Sequence, residues 1–211
     1  MSQLPDSIDK LFEEIRNEVL TLHVNWKIYR QLFAHTPLRV DLLNESACTF
    51  FYVTQELLYN DVQLRLSKLT DPPKTGGFRN LSLPALLESV EDTSLRSSLE
   101  SIINDLQKKC EPFRNRRNKE IAHLDFDTIM KSVPTPDVSR KMLEDALTLL
   151  AKFLNEIEGH YMDSETSYDV IISEDGESLV NYVKYGMRYA ELRKQREVNR
   201  NDINKSKWFG A

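Results

Sequence analysis

From Ile8 to Phe33 the apolar side chains fall at Ile8, Phe12, Ile15, Val19, Leu22, Trp26, Tyr29 and Phe33, in steps of four and three throughout. On a helix turning about 100° per residue that spacing keeps every apolar group on one stripe, the pattern of a helix packing lengthwise on other helices. A stripe of this length has to be buried, so helical partners are required further along the chain. The predicted first helix runs from about Asp6 to Ala34, with Pro5 where a first-turn proline is tolerated.

Those partners follow in order. A second helix is predicted from about Val40 to Lys68, after the stop in "HTPLRV". Its Leu43, Ala47, Phe50, Phe51, Leu57, Leu58, Val62 and Leu64 make a stripe wide enough to face two neighbours. "TDPPKTGGFRN", residues 70–80, is the clearest loop, with paired prolines and paired glycines. Ser82 is placed to cap a short helix, "LPALLESV". Thr93 or Ser94 opens another, with Leu95, Leu99, Ile102, Ile103 and Leu106 at helical spacing. Pro112 interrupts it, since an interior proline lacks the amide hydrogen and crowds the preceding turn. The segment from Pro112 to about His123 is therefore expected as a kinked continuation or a fresh helix. Beyond the break "SVPTPD", Thr135 and Pro136 take the cap and first-turn positions of a helix ending near Gly159. A last helix, about Glu177 to Glu197, presents Leu179, Val183, Tyr189 and Leu192 before a polar tail. Nothing alternates with period two long enough to build a sheet, so the predicted class is all-α.

With 40% hydrophobic and 29% charged residues, a packed core is available and global disorder is excluded. The net charge of −5 means that any affinity for a polyanion must be local. Cys48 and Cys110 do not make a disulfide framework, and no Cys/His cluster has zinc-ligand spacing, so neither a metal nor a cofactor is expected. The start "MSQLPDSIDK" lacks the apolar core of a signal peptide, and no run of about 18 apolar residues occurs. A soluble, cytoplasmic protein with no membrane partner is expected.

The chemistry-bearing residues are few. His35 lies beside a break and His160 at a helix end, where a histidine complements the negative terminus; His23 is flanked by the apolar repeat and suits a partly buried position. His123 stands apart through its neighbours Lys108, Lys109, Arg114, Arg116, Arg117 and Lys119. On a single α-helix Arg116, seven positions earlier, lies within about 20° of its face and Lys119 about 40° away, while Arg117 is about 120° off. A solvated basic helix end with an incidental histidine is the plain reading; a phosphate-binding site is the other. Phosphate contacts, if made, are expected along the basic segment 108–119.

"RNKEIAH", Arg117 to His123, resembles the signature of the HEPN superfamily (higher eukaryotes and prokaryotes nucleotide-binding): an arginine, often followed by Asn, Asp or His, then a histidine after four to six residues. Arg117 is followed by Asn118, and five residues separate it from His123; Arg116 also satisfies the spacing with six. "WKIYRQLF" (26–33), "VDLLNESACTFF" (40–51), "LRLSKLTD" (64–71) and "NLSL" (80–83) extend the similarity to the abortive-infection U-type branch, over about residues 10–195.

The resemblance implies a HEPN-like bundle of long antiparallel helices over 1–162. Residues 163–211 would form a C-terminal extension, with one helix packed on or beside the bundle and a polar tail. It further implies a homodimer in which two motif helices meet, and in many members a metal-independent endoribonuclease. Arg117 and His123 take the positions of the functional pair, and Arg114, Arg116, Asn118 and Lys119 are expected to contact substrate. An imidazole can move the protons of a 2′-hydroxyl attack, and a guanidinium can hold the phosphate oxygens as charge builds. Asp125 or Asp127 either fixes the imidazole tautomer or ends the helix. The alternatives are a catalytically silent module binding RNA or a nucleotide, and an interaction domain docking an acidic protein such as an antitoxin. The basic tail, Arg193 to Lys207, fits any of the three.

Overall fold

The computed structural model describes residues 4–121, 126, 130, 138–170 and 174–195. Within them the fold is all-α apart from one minimal hairpin. The order is α1 (Asp9–Phe33), α2 (Pro37–Leu69), β1 (Lys74–Thr75), β2 (Phe78–Arg79), α3 (Leu83–Glu88), α4 (Thr93–Arg116), a π-helical stretch (Arg117–Ile121), α5 (Arg140–Met162) and α6 (Asp175–Lys194). Among the described residues no helix is long and apolar enough to cross a membrane. The chain forms two compact units: residues 1–27 with 57–171, and residues 28–56 with 172–211. The divisions fall inside α1 and α2.

The first unit holds the larger core. Ile8, Phe12, Ile15, Val19, Leu22 and Trp26 of the four-three stripe are all buried. α4 packs along α5 and against α3. α4 buries Leu95, Leu99, Ile102, Leu106, Cys110 and Phe113, and α5 buries Leu143, Leu150, Phe153 and Ile157. Each such aliphatic or aromatic side chain contributes roughly 1.5–3 kcal/mol relative to exposure. Ser82 accepts from the Ala85 amide and caps α3 as its position implied. The cap of α4 is Asp92, which accepts from the Leu95 amide at 2.7 Å. Pro112 does not end α4: the helix runs through it to Arg116 with Cys110 and Phe113 buried on either side, so burial outweighs the lost hydrogen bond. Val138 and Ser139 are non-helical, and Ser139 caps α5 by accepting from the Met142 amide at 3.2 Å. The helix therefore starts later than expected; Thr135 and Pro136 lie outside the described residues.

His23 is among the polar groups buried in this unit. It is 7% exposed, its Nε2 has no hydrogen-bond partner, and its ring centroid lies 6.2 Å from that of Tyr168. Burial pushes its pKa down to about 4, opposed in part by Asp169. Tyr168 in turn donates to the buried Glu158 at 2.7 Å.

In the second unit α2 is split at Ala47, whose extended backbone (φ −159°, ψ 69°) separates two helical segments. The wide α2 stripe is buried here only at Leu43 and Phe51, while Phe50 remains exposed. α6 turns Gly176 and Val180 inward; Leu179, expected on the buried face, is 38% exposed. A polar latch explains this register. The Gly176 amide donates to Gln31 Oε1 at 3.1 Å, and Gln31 Nε2 donates to Glu174 at 3.1 Å. Arg39 donates to the Gln31 carbonyl and to Glu177 at 2.6 Å, which holds the Glu177 carboxyl below its usual range.

A Cβ on Gly176 would meet Gln31 Oε1 at 2.6 Å and Gln31 Cβ at 2.7 Å. Helix propensity alone favours Gly176→Ala by about 1 kcal/mol. The clash with a Cβ fixed to α1 reverses that sign, and urea unfolding should show a net loss of about 1–2 kcal/mol.

His23 is neutral in the fold and titrates near 6.5 when unfolded, so stability is lost as pH falls through the window from about 6.5 to 4. Over that window wild-type protein should lose roughly 3 kcal/mol more than His23→Leu, measured by urea unfolding at each pH.

Candidate functional site

The arginines of the basic segment are anchored, while its Lys108 and Lys109 remain exposed. The support for the arginines is a row of polar residues on the buried face of α2: Gln63, Ser67 and Thr70, all 1% exposed or less. Spaced four and three apart, they lie one above another on the helix. Gln63 donates to the Tyr59 carbonyl at 3.1 Å, Ser67 to the Gln63 carbonyl at 2.8 Å, and Thr70 to the Leu66 carbonyl at 3.1 Å. These local bonds satisfy the hydroxyl and amide donors and leave acceptors facing α4.

The arginines use those acceptors. Arg114 Nη2 donates to both the carbonyl and the hydroxyl of Thr70 at 2.9 Å, covering the carbonyl end of α2 where a cation is favourable. Arg116 donates to Gln63 Oε1 at 3.3 Å and to Glu120 at 3.0 Å, and its guanidinium lies 5.5 Å from the centre of the Tyr59 ring. Arg117 Nη1 donates to Asp71 at 2.8 Å, and Arg117 Nε to Asn118 at 3.0 Å. Arg114 Nε also lies 3.9 Å from Asp71, so one carboxylate faces two guanidinium groups. With Arg117 and Asp71 17% and 23% exposed, the pair contributes on the order of 1 kcal/mol. Just below it, burial pushes the Cys110 thiol up to about 12, so this sulfur is a packed group and not a nucleophile.

Arg117 begins the π-helical stretch that runs to Ile121. A π-helix closes its turns over five residues instead of four, so α-helical angles do not hold within Arg117–Ile121. Asn118 and Lys119 lie in the same stretch, Asn118 exposed and Lys119 half-buried. His123 and Asp125 lie outside the described residues, as does Asp127. Lys108 and Lys109 face acids on α4 and α5: Asp105 at 3.7 Å and Asp145 at 3.5 Å. His35 and His160 are exposed. Among the described residues, no three His, Cys, Asp or Glu side chains gather as metal ligands would.

A cleft of about 720 Å³ opens beside Arg117, within the first unit. Its lining includes Asp61, Arg65, Lys68, Asp71, Arg79 and Asn80 as well as Arg117 and Asn118. Four of the expected substrate or catalytic residues are thus divided: Arg117 and Asn118 line the cleft, whereas Arg114 and Arg116 brace the helix behind it. Sequence reasoning assigned no role to Asp71, Lys68 or Arg79. The signal was present, since polar Gln63, Ser67 and Thr70 interrupt an apolar stretch at helical spacing, and "LRLSKLTD" ends and "NLSL" begins at this cleft.

A family model of HEPN type described as AbiU2 (HEPN_AbiU2) matches residues 5–182. No curated protein and no solved structure matches the chain.

Proposed function

The chain belongs to the AbiU2 family of HEPN domains, and from that membership we propose that it is a metal-independent endoribonuclease of an abortive-infection or toxin-like system. The observation that carries the reading is the placement of Arg117. The first residue of "RNKEIAH" points into a cleft of about 720 Å³, a size suited to a small ligand or a nucleotide of a longer strand. A guanidinium braced by Asp71 keeps its fork in one orientation, which is what bidentate capture of a phosphate needs.

RNA supplies the nucleophile itself. In the proposed reaction His123 accepts the proton of a 2′-hydroxyl as that oxygen bonds to the adjacent phosphorus. The bond to the 5′-oxygen breaks, and an imidazolium returns a proton to it. Arg117 holds the non-bridging oxygens while their charge rises. The products are a 2′,3′-cyclic phosphate and a 5′-hydroxyl. One His123 per chain is short of two simultaneous proton transfers, so the active form is proposed as a two-fold homodimer that duplicates the group. Light scattering of the purified protein at micromolar concentration should give twice the mass of the chain.

A second reading has its own support. Arg117 already bonds Asp71 and Asn118, which suits a silent module whose motif arginine is structural and whose partner is RNA, a nucleotide or an antitoxin protein. Incubation with total RNA in EDTA separates the two. The nuclease reading predicts cleavage by wild type, and loss of about 100-fold or more for His123→Ala and for Arg117→Ala. Arg117→Lys should recover only part of the rate, because an ammonium lacks the planar fork. Arg116→Ala should be milder. Intact RNA with wild type, or full activity in His123→Ala, would leave the silent module as the reading.

A further inference from the structure

We infer that the cleft beside Arg117 is a backbone track for single-stranded RNA, in which Lys68 and Arg79 hold phosphates neighbouring the one at Arg117. This rests on the RNA reading above and extends it to residues outside the signature.

The charges of the lining sort themselves by pairing. Arg65 is held by Glu18 at 2.5 Å and by Asp61 at 2.8 Å, and Asp61 also accepts from Asn25 at 2.8 Å. Arg117 is paired with Asp71. These carboxylates are spent within the wall. Lys68 and Arg79 are both exposed, line the cleft, and have no ion-pair partner among the described residues. Two uncompensated cations on one side of a concave surface focus potential toward it, although the protein as a whole is acidic.

The backbone holds both in place. Lys68 lies on the last turn of α2, and the Asp71 amide, two residues past the helix, donates to the Lys68 carbonyl at 3.1 Å, so the turn that brings Asp71 to Arg117 keeps Lys68 at the same cleft. A lysine there also complements the helix terminus. Arg79 has no such role, since it ends the hairpin. Gly76 and Gly77, at φ 57° and 87°, make the tight turn between the two strands. Asn80 Nδ2 then donates to the Pro72 carbonyl at 2.7 Å and to Thr75 Oγ1 at 2.8 Å, closing the loop on itself. A loop fixed in this way presents Arg79 on an ordered backbone, so that only its side chain has to be ordered on binding. Leu64, Leu69 and Leu81 supply the apolar part of the lining, against which a ribose or an unstacked base can rest. Single-stranded RNA is favoured over a duplex because a cleft of this volume can take an unpaired nucleotide of one strand but not a paired helix.

The test measures fluorescence anisotropy of an end-labelled single-stranded oligoribonucleotide with the full chain carrying His123→Ala, so that the probe stays uncut. Lys68→Glu with Arg79→Glu should weaken binding at least 10-fold. It should also lower the slope of log affinity against log salt by about 1.4, the value for two lost single-strand phosphate contacts. Lys10→Glu with Lys152→Glu changes the net charge equally on exposed positions away from the cleft, and should leave the slope where it was. If the glutamates disturb the circular dichroism spectrum, Lys68→Ala with Arg79→Ala serves instead, with the same direction expected. Equal weakening by both pairs would mean a general charge effect and overturn the track. Unchanged binding in the cleft variant, with the parent still binding RNA, would overturn it while sparing the RNA reading. A parent that binds no RNA would remove the RNA reading and the track with it.

Discussion

Asp71, two residues past the long second helix, meets two guanidinium groups, Arg117 at 2.8 Å and Arg114 at 3.9 Å, while Arg114 also covers the Thr70 carbonyl. The arrangement solves two problems together. The last carbonyls of a helix need donors, and a dense group of arginines needs compensating charge. Either segment alone would leave polar groups unsatisfied in a partly buried place. Joined, they fix where the motif arginine points and where the hairpin leaves the helix, so the cleft follows from this junction.

The same junction bears on chemistry. A phosphate arriving at Arg117 meets a guanidinium already oriented by a carboxylate, so little side-chain entropy remains to be lost. The carboxylate also repels the phosphate, and the neighbouring Arg114 offsets that repulsion by sharing Asp71. Orientation is gained at some cost in net positive charge, and the proposed track therefore relies on Lys68 and Arg79, which have no ion-pair partner among the described residues.

Much of the fold was legible because its signal is periodic. Ile8 to Phe33 specify α1, and Ser82 marks the start of α3 through a local hydrogen bond that sequence spacing reveals. What was not legible depends on tertiary contact. Pro112 sits inside α4 because Cys110 and Phe113 are buried on either side, and burial cannot be read from a proline rule. The buried face of α6 is set by Gln31 and Gly176, 145 residues apart, and not by its apolar spacing. The signature pointed to Arg117 and Asn118, which line the cleft, but it could not show that Arg116 turns to Gln63 and Tyr59. Nor could it show that Asp71, 46 residues earlier, is the partner of Arg117. The π-helical stretch, which alters the angles at which the residues from Arg117 to Ile121 leave the axis, carries no composition signal at all.

The central claim is that Arg117 is a guanidinium held still by Asp71 and offered to an RNA phosphate. Nitrogen-15 NMR of the arginine Nη–H groups, the ones that meet Asp71, tests both halves, with the Arg117 signal assigned by its disappearance in Arg117→Lys. The account predicts a slowly exchanging, well-resolved Arg117 signal in the free protein, absent in Asp71→Ala and shifting on addition of a single-stranded oligoribonucleotide. A signal averaged by free rotation, or a sharp one that RNA leaves unmoved, would contradict it.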